Sequence, residues 1–447
     1  MKAELLKIAE AVVGKAAAGE QVEVVTVHGK ETEIRVYQGE IESFTAAESQ
    51  GVGIRVVQDG RQGMAYAGSL DSDVLNETLE EARDNASFGT PDEFQAIAEP
   101  DGVESVSLDL LDPSLANFAN EEKIAMAIDL ERSILQADTR IIGVESTDYV
   151  DSINTSAIVT STGIRRANQE GGCYVAASSL ASDGVDTQTG FGYSVGRSPT
   201  NLDIGKASAD ATERATRLLG AKKTESGRMT VILDPYVTAQ FLGIIGSTLS
   251  GEALLKGRSL FADRDGDQVA PNFLTLIDDP TDIDAFTATE ADGEGLASRK
   301  NTLIDQGSLC GFLHNTYTAR ALGTSSTGSA VRSYNSSPGA GPLALKLTPG
   351  ECSQSELIEQ VGEGILIQGV AGLHSGVNPV SGDFSAGAEG LMIRQGDLAE
   401  PVREVTVAST LQRMLLDIQN IGNDLERLPM KSSGVSIVVD DIMVSGV

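Results

Sequence analysis

The sequence predicts an α+β fold in two domains, an N-terminal α/β domain and a C-terminal, glycine-rich domain of mixed, mainly antiparallel β structure. Three observations carry that reading. The chain has 447 residues, more than one ordinary domain holds. Short apolar runs bounded by turn residues recur along it and outnumber the helical patterns. The polar stretch from Ala221 to Gly227 divides a half where helices and strands alternate from a half punctuated by glycine. The domains are therefore set at 1–222 and 228–447. A further break near 100–120, splitting the first into two subdomains, is the alternative.

Leu5, Ile8, Val12 and Val13 share one face of a helix over 3–18. Strands are expected at 21–28, 31–37, 41–47 and 52–58. The last meets 61–67 across Asp59-Gly60, a two-residue hairpin signal. Asp71 or Ser72 caps a helix that runs to about 87. The residues up to 119 are rich in Pro, Asp and Ser and read as a connection with little regular structure. Asn120 is placed as the cap of a helix over 121–137, whose acidic first turn suits its dipole. From 140 to 197 strands alternate with turns, with Gly171-Gly172, Gly190 and Gly192 as punctuation. A helix spans 203–220. Beyond the boundary, Met229–Leu233 is a buried strand stopped by Asp234-Pro235. Val237, Phe241, Ile244, Ile245 and Leu249 then recur at helical spacing. One amphipathic helix is expected near 353–362 and a last strand at 434–444. Eight glycines between Gly362 and Gly390 mark tight turns or close backbone approach, not helix.

Composition narrows function. Net charge is −32, from 65 acidic and 33 basic residues, which repels nucleic-acid phosphates. The acids are spread along the chain, so solubility explains them better than recognition of basic ligands. Cys173, Cys310 and Cys352 are odd in number and far apart, which fits a reducing cytosol and a cytoplasmic protein. Lys7, Glu10 and Lys15 interrupt the apolar N-terminus, so it reads as an amphipathic helix and not a leader. No apolar run spans a membrane.

Tested singly, the motifs of catalysis fail. A metalloprotease helix needs two histidines facing one ion and a glutamate base. The chain has only His28, His314 and His374, none followed by Glu. Cys310 and His314 are four apart, a two-ligand fragment if helical, and otherwise two buried structural residues. Gly192-Tyr193-Ser194-Val195-Gly196 matches a nucleophile elbow, but Pro199 and Asn201 follow where a helix is required. His374-Ser375 with Asp383 supplies triad chemistry on paper alone. No phosphate-cradling glycine loop is present.

Three blocks carry a resemblance. They are Thr302–Arg332 with its Asn-Thr-Tyr-Thr-Ala-Arg run, residues 373–390 (LHSGVNPVSGDFSAGAEG) and residues 401–426, which end in Gly-Asn-Asp-Leu-Glu. In this order they resemble the TldD/PmbA family, of which the chain is identified as a zinc-motif-lacking, TldE/PmbA-type member. The catalytic kind in that family carries His-Glu-x-x-x-His on the helix that opens its C-terminal domain. In the register set by Gly246, Leu249 and Gly251, Leu242 and Ser247 stand at the histidine positions and Gly243 at the glutamate. No cysteine follows Gly422, where the catalytic kind has a further ligand.

The resemblance implies a two-kind, heteromeric zinc metalloprotease acting on unfolded peptides, a microcin precursor and an unfolded antitoxin among them. This chain would be the non-catalytic subunit, without a cofactor of its own. A TldD-like zinc protease subunit would be its partner in a dimer, unless it pairs with itself. His374, Ser375, Gly376, Asn378 and Asp383 in the glycine-rich block are the substrate-binding candidates, with peptide added along a strand edge. Two alternatives stay open: a stand-alone hydrolase using Ser194 or His374, and a homo-oligomeric peptide-binding module without protease activity.

Overall fold

The computed structural model describes residues 1–447. The N-terminal half contains α1 (Lys2–Val13), β1 (Gln21–Tyr37), β2 (Glu40–Gln58), β3 (Arg61–Ala67), α2 (Ser72–Phe88), α3 (Pro113–Asn117), α4 (Asn120–Ala137), β4 (Ile141–Thr160), β5 (Arg165–Ser182), β6 (Thr187–Gly196) and α5 (Ile204–Arg217). Its strands form one antiparallel sheet of order β3-β2-β1-β4-β5-β6. Strand alternation gives the sheet two different faces. Val22, Val24, Ile34 and Val36 of β1 point to one side, where α1 and α2 cover one end and α4 and α5 the other. Glu23, Val25 and Val27 point to the opposite side, towards the C-terminal half.

Three expectations need correction here. The separate strands at 21–28 and 31–37 are one strand, and so are those at 41–47 and 52–58. Polar residues interrupt the apolar pattern because half of each strand lies in solvent, not because the ladder stops. Gly190 and Gly192 also lie inside β6 and do not punctuate it. A Cβ on Gly192 would stand 2.0 Å from Ala207 O of α5, so glycine lets that helix sit close on the sheet. Asn120 is the first helical residue of α4. The cap position is Ala119, whose N–H donates to Glu122 Oε2 (3.1 Å).

The C-terminal half contains β7 (Gly227–Leu233), α6 (Pro235–Thr248), α7 (Gly251–Leu255), β8 (Leu276–Asp278), β9 (Asn301–Asp305), β10 (Ser308–Leu309), α8 (Thr316–Ala321), β11 (Ala330–Val331), β12 (Gly339–Ala340), β13 (Leu345–Leu347), α9 (Gln354–Val361), β14 (Glu363–Ala371), α10 (Leu373–Gly376), β15 (Asp383–Arg394), β16 (Asp397–Thr410), α11 (Leu411–Leu416), β17 (Ile418–Ile421) and β18 (Ile437–Ser445). Its main sheet runs β16-β15-β14-β7-β18-β17, with β7 and β14 parallel and the other neighbours antiparallel. A further pairing of β16 with β18, Thr406–Ala408 against Met443–Ser445, closes five of these strands into a ring. The ring's interior is apolar. Val231, Leu233, Phe384, Val407, Val439 and, from α6, Val237 and Phe241 leave a void of only about 10 Å³, too small for a ligand. This barrel and α6 belong to the largest core of the chain. No helix is long and apolar enough to cross a membrane.

Candidate functional site

Helix α6 is held at its start by Asp234. Its Oδ1 accepts from Val237 N (2.9 Å), Pro235 takes the first helical position, and Oδ2 accepts from Arg214 Nη2 of α5 (3.1 Å). Burial pushes the Asp234 carboxyl up to about 7, against the pull of Arg214. Leu242 lies in the main core with no exposure. Gly243 is half-buried, and a Cβ there would stand 3.5 Å from Ser432 Oγ. Ser247 is exposed, and its hydroxyl donates to Ile244 O of its own helix (2.7 Å). Leu242 is thus turned into the core and Ser247 towards solvent, and Gly243 has no side chain. Zinc needs three or four N, O or S donors around one point. A buried leucine, a glycine and a self-bonded serine do not supply them, and no group of three or more His, Cys, Asp or Glu side chains is gathered to hold a metal ion.

Cys310 and His314 do not share a helical face either. No helix spans them, since α8 starts only at Thr316. Cys310 is exposed, whereas His314 is buried with Nδ1 3.3 Å from Thr318 Oγ1. Ser194 lies in β6 with its Oγ accepting from Asp203 N (2.8 Å), so it occupies no elbow.

The glycine-rich block forms β14, the single-turn α10 and β15, so helix occurs where only turns were expected. His374 is exposed on α10. The Ser375 hydroxyl donates to Gly372 O (3.2 Å), and Asn378 Oδ1 accepts from Val380 N (2.9 Å). Asp383 Oδ2 accepts from Ser381 Oγ (2.6 Å). Gly376 lies so close to β15 that a Cβ would stand 1.9 Å from Ser385 O. These contacts brace the turn among themselves and build no His–Ser–Asp relay. Both edges of β15 are already paired, to β14 and to β16.

The site with room for a ligand lies elsewhere. Between the open face of the N-terminal sheet and the C-terminal loops is a cleft of about 710 Å³, within the usual range for ligand pockets. Asn154 and Ser156 of β4, and Arg166, Asn168 and Glu170 of β5, form its floor. Residues 286–293, 330–334, Leu343 and Lys431 form its roof. None of the sequence-derived site residues lines it, although Ser432, beside Lys431, is the residue that Gly243 faces.

Behind Arg332 and Asp292 of the cleft lies a buried ion network joining the two halves. Arg55 donates from Nε and Nη2 to the two oxygens of Glu23 (3.0 Å each) and lies 3.6 Å from Glu294 Oε1. Arg332, its side chain 3% exposed, also donates to Glu23. Burial opposes ionisation of Glu23, but Arg55 and Arg332 together hold it below the usual carboxylate range. Burial pushes Asp292 up to about 7 and raises Glu294 as well. Arg197 donates to Leu110 O and Gly171 O (3.3 Å each), Ala285 O (2.8 Å) and Phe286 O (3.2 Å), pinning connection, sheet and loop together. Sequence reading missed this site because its residues come from nine separate segments. The one local signal was the glycines at 51 and 53, where the Tyr334 ring and backbone press on β2.

Family models for PmbA/TldA metallopeptidases match in three pieces: domain 1 over residues 22–86, the central domain over 113–219 and the C-terminal domain over 226–446. Metalloprotease PmbA of Escherichia coli O157:H7 is 26% identical over 411 residues, covering 91% of this chain and 88% of its own. The Haemophilus influenzae PmbA homolog is 26% identical over 436 residues, covering 97% and 93%. A Thermotoga maritima structure described as a candidate modulator of a DNA gyrase superposes with a TM-score of 0.90 at 26% identity, over 100% of both chains. TldE from Thermococcus kodakarensis, at 22% identity, shares the fold with a TM-score of 0.90 over 99% of each chain.

Proposed function

The chain belongs to the PmbA/TldD metallopeptidase family, and from that premise we propose that it is a TldE/PmbA-type, non-catalytic subunit. It holds unfolded peptide in the cytosol while a zinc-bearing, TldD-type partner hydrolyses it. One observation carries the reading. The helix that would present the metal motif is intact, yet Leu242 is sealed in the core and Gly243 offers no base. The purified chain is expected to retain no stoichiometric zinc and to cleave no peptide alone. Cleavage is expected on mixing with a TldD-type partner. One tightly held zinc per chain, or hydrolysis by the chain alone, would sink the proposal.

A subunit needs a surface for its partner. The hairpin of β1 and β2 supports this part of the reading. Every residue of β2 from Glu40 to Gln50 is exposed, and β3 pairs only with Val52–Gln58, which leaves the outer edge free. Ile41 and Phe44 are 46% and 42% exposed along it. A free edge with apolar side chains is what strand addition uses. Charging it, with Ile41→Lys and Phe44→Lys together, is expected to abolish co-purification with the partner and leave the fold intact.

A further inference from the structure

We propose that the interdomain cleft is a receptor for carboxylate groups of the bound peptide, held by Arg166 and Lys431, so that acidic unfolded segments are the preferred cargo. The proposal rests on the peptide-holding role above and adds to it the class of peptide.

The chain carries net charge −32, and most of its cations are consumed in ion pairs with its own carboxylates. The cleft departs from that pattern. Arg166 and Lys431 line it from opposite sides, one from β5 and one from the C-terminal half, and neither side chain makes an ion pair or hydrogen bond within the protein. Arg197 spends its donors on neutral carbonyl groups and makes no ion pair, with Glu170 the one acid near enough to act on its charge. Arg332 keeps one guanidinium nitrogen, Nη2, buried at the cleft wall without a partner.

Two carboxylates line the cleft beside these cations, while Glu23 and Asp278 lie buried behind Arg332 and Lys431. Asp292 gives its oxygens to three backbone N–H groups, from Glu294 (2.9 Å), Leu296 (3.0 Å) and Ala330 (2.9 Å). Glu170 makes no hydrogen bond, and burial disfavours its charged form. The cleft is therefore a cationic hollow in an anionic molecule, walled by protein on both sides and open to solvent at its mouth. Such a hollow focuses the field and concentrates anions. Asn154, Asn168, Thr287 and Thr289 stand around the cations with amide and hydroxyl groups, the complement of a peptide backbone.

The carboxylate can come from Asp and Glu side chains or from a peptide C-terminus. Isothermal titration of the full chain at low salt separates them with three unstructured decapeptides. The first is Glu-rich with an amidated end. The second is its Gln-for-Glu, amidated counterpart. The third is that Gln peptide with a free terminal carboxylate. The Glu-rich peptide is expected to bind about tenfold or more tighter than the amidated Gln peptide, with the advantage shrinking as salt rises. In the double variant Arg166→Gln, Lys431→Gln, that advantage is expected to vanish while affinity for the amidated Gln peptide stays. Neither side chain has an internal partner, so the variant should keep its melting temperature. If the free-terminus peptide alone gains affinity, and loses it in the variant, the source is the C-terminus.

Equal affinity for all three peptides overturns the carboxylate preference and leaves the peptide-holding role standing. Undiminished preference in the variant overturns the assignment to this cleft. No binding of any peptide overturns both.

Discussion

Gly243 and Gly246 lie one turn apart on α6, and the space around them predicts opposite outcomes. A methyl group on Gly243 meets only Ser432 Oγ at 3.5 Å. Gly243→Ala should therefore stabilise the fold by about 0.5–1 kcal/mol through helix propensity and a less free unfolded chain. On Gly246 the same methyl would stand 2.7 Å from Leu345 Cδ2 and 3.2 Å from Pro342 Cγ. Gly246→Ala should lower stability by about 1–3 kcal/mol through overpacking. Urea titration of both variants checks the pair. Asp278 makes a pH forecast. It is buried, Oδ1 accepts from Leu343 N (2.9 Å) and Ala344 N (2.7 Å), and Oδ2 has no partner. Burial pushes its pKa up to about 6. Between the ordinary carboxylate range and pH 6 the folded form thus holds more protons than the unfolded one. The protein then loses stability as pH rises through that window, by about 3 kcal/mol in all, and the loss is complete above it. Asp278→Asn should remove this part of the decline, seen as a flatter melting temperature between pH 4.5 and 7.5. At this scale the chain was legible where chemistry is local, as in the residues that replace a metal motif. Burial-driven shifts at Asp234, Asp278 and Asp292 were not, because they depend on what folds over them.

At the scale of elements, one short segment of the C-terminal half presses on the long strands of the N-terminal sheet with its backbone. Residues 330–334 lie across β2, and a Cβ on Gly53 would stand 1.7 Å from Tyr334 O. Backbone cannot rotate away as a side chain can. Gly53→Ala should push the segment off the sheet, with faster proteolysis and amide exchange around 330–337 as the readout. Arg332→Ala tests the same junction electrically. It leaves Glu23, wholly buried, with Arg55 alone, and a broken buried pair of this kind costs about 3–5 kcal/mol. Chemical denaturation should show that loss, and a loss below about 1 kcal/mol would contradict the buried geometry. Most elements were readable: α1, α2, α5, α6 and the Asp59-Gly60 hairpin follow from periodicity and turn residues. The strand lengths were not. Strand β1 alternates buried and exposed residues over its outer half, and pattern alone cannot tell a half-solvated strand from a turn.

For the whole molecule, net charge sets one expectation plainly. The chain should not retard duplex DNA at physiological salt in a mobility assay, whatever its relatives are named for. A shift at micromolar protein would count against the charge argument. The architecture also separates the two halves in time. The N-terminal sheet pairs strands that mostly follow one another in sequence, and it can assemble as they appear. The barrel cannot. Its ring is sealed only when β18 slots between β7 and β16, and β7 comes some two hundred residues earlier. On the ribosome, the C-terminal half must therefore wait with β7 unmatched on one side until residues 437–445 emerge from the exit tunnel. For most of its synthesis it presents sticky, incomplete sheet to its surroundings, the kind of nascent chain that chaperones shelter.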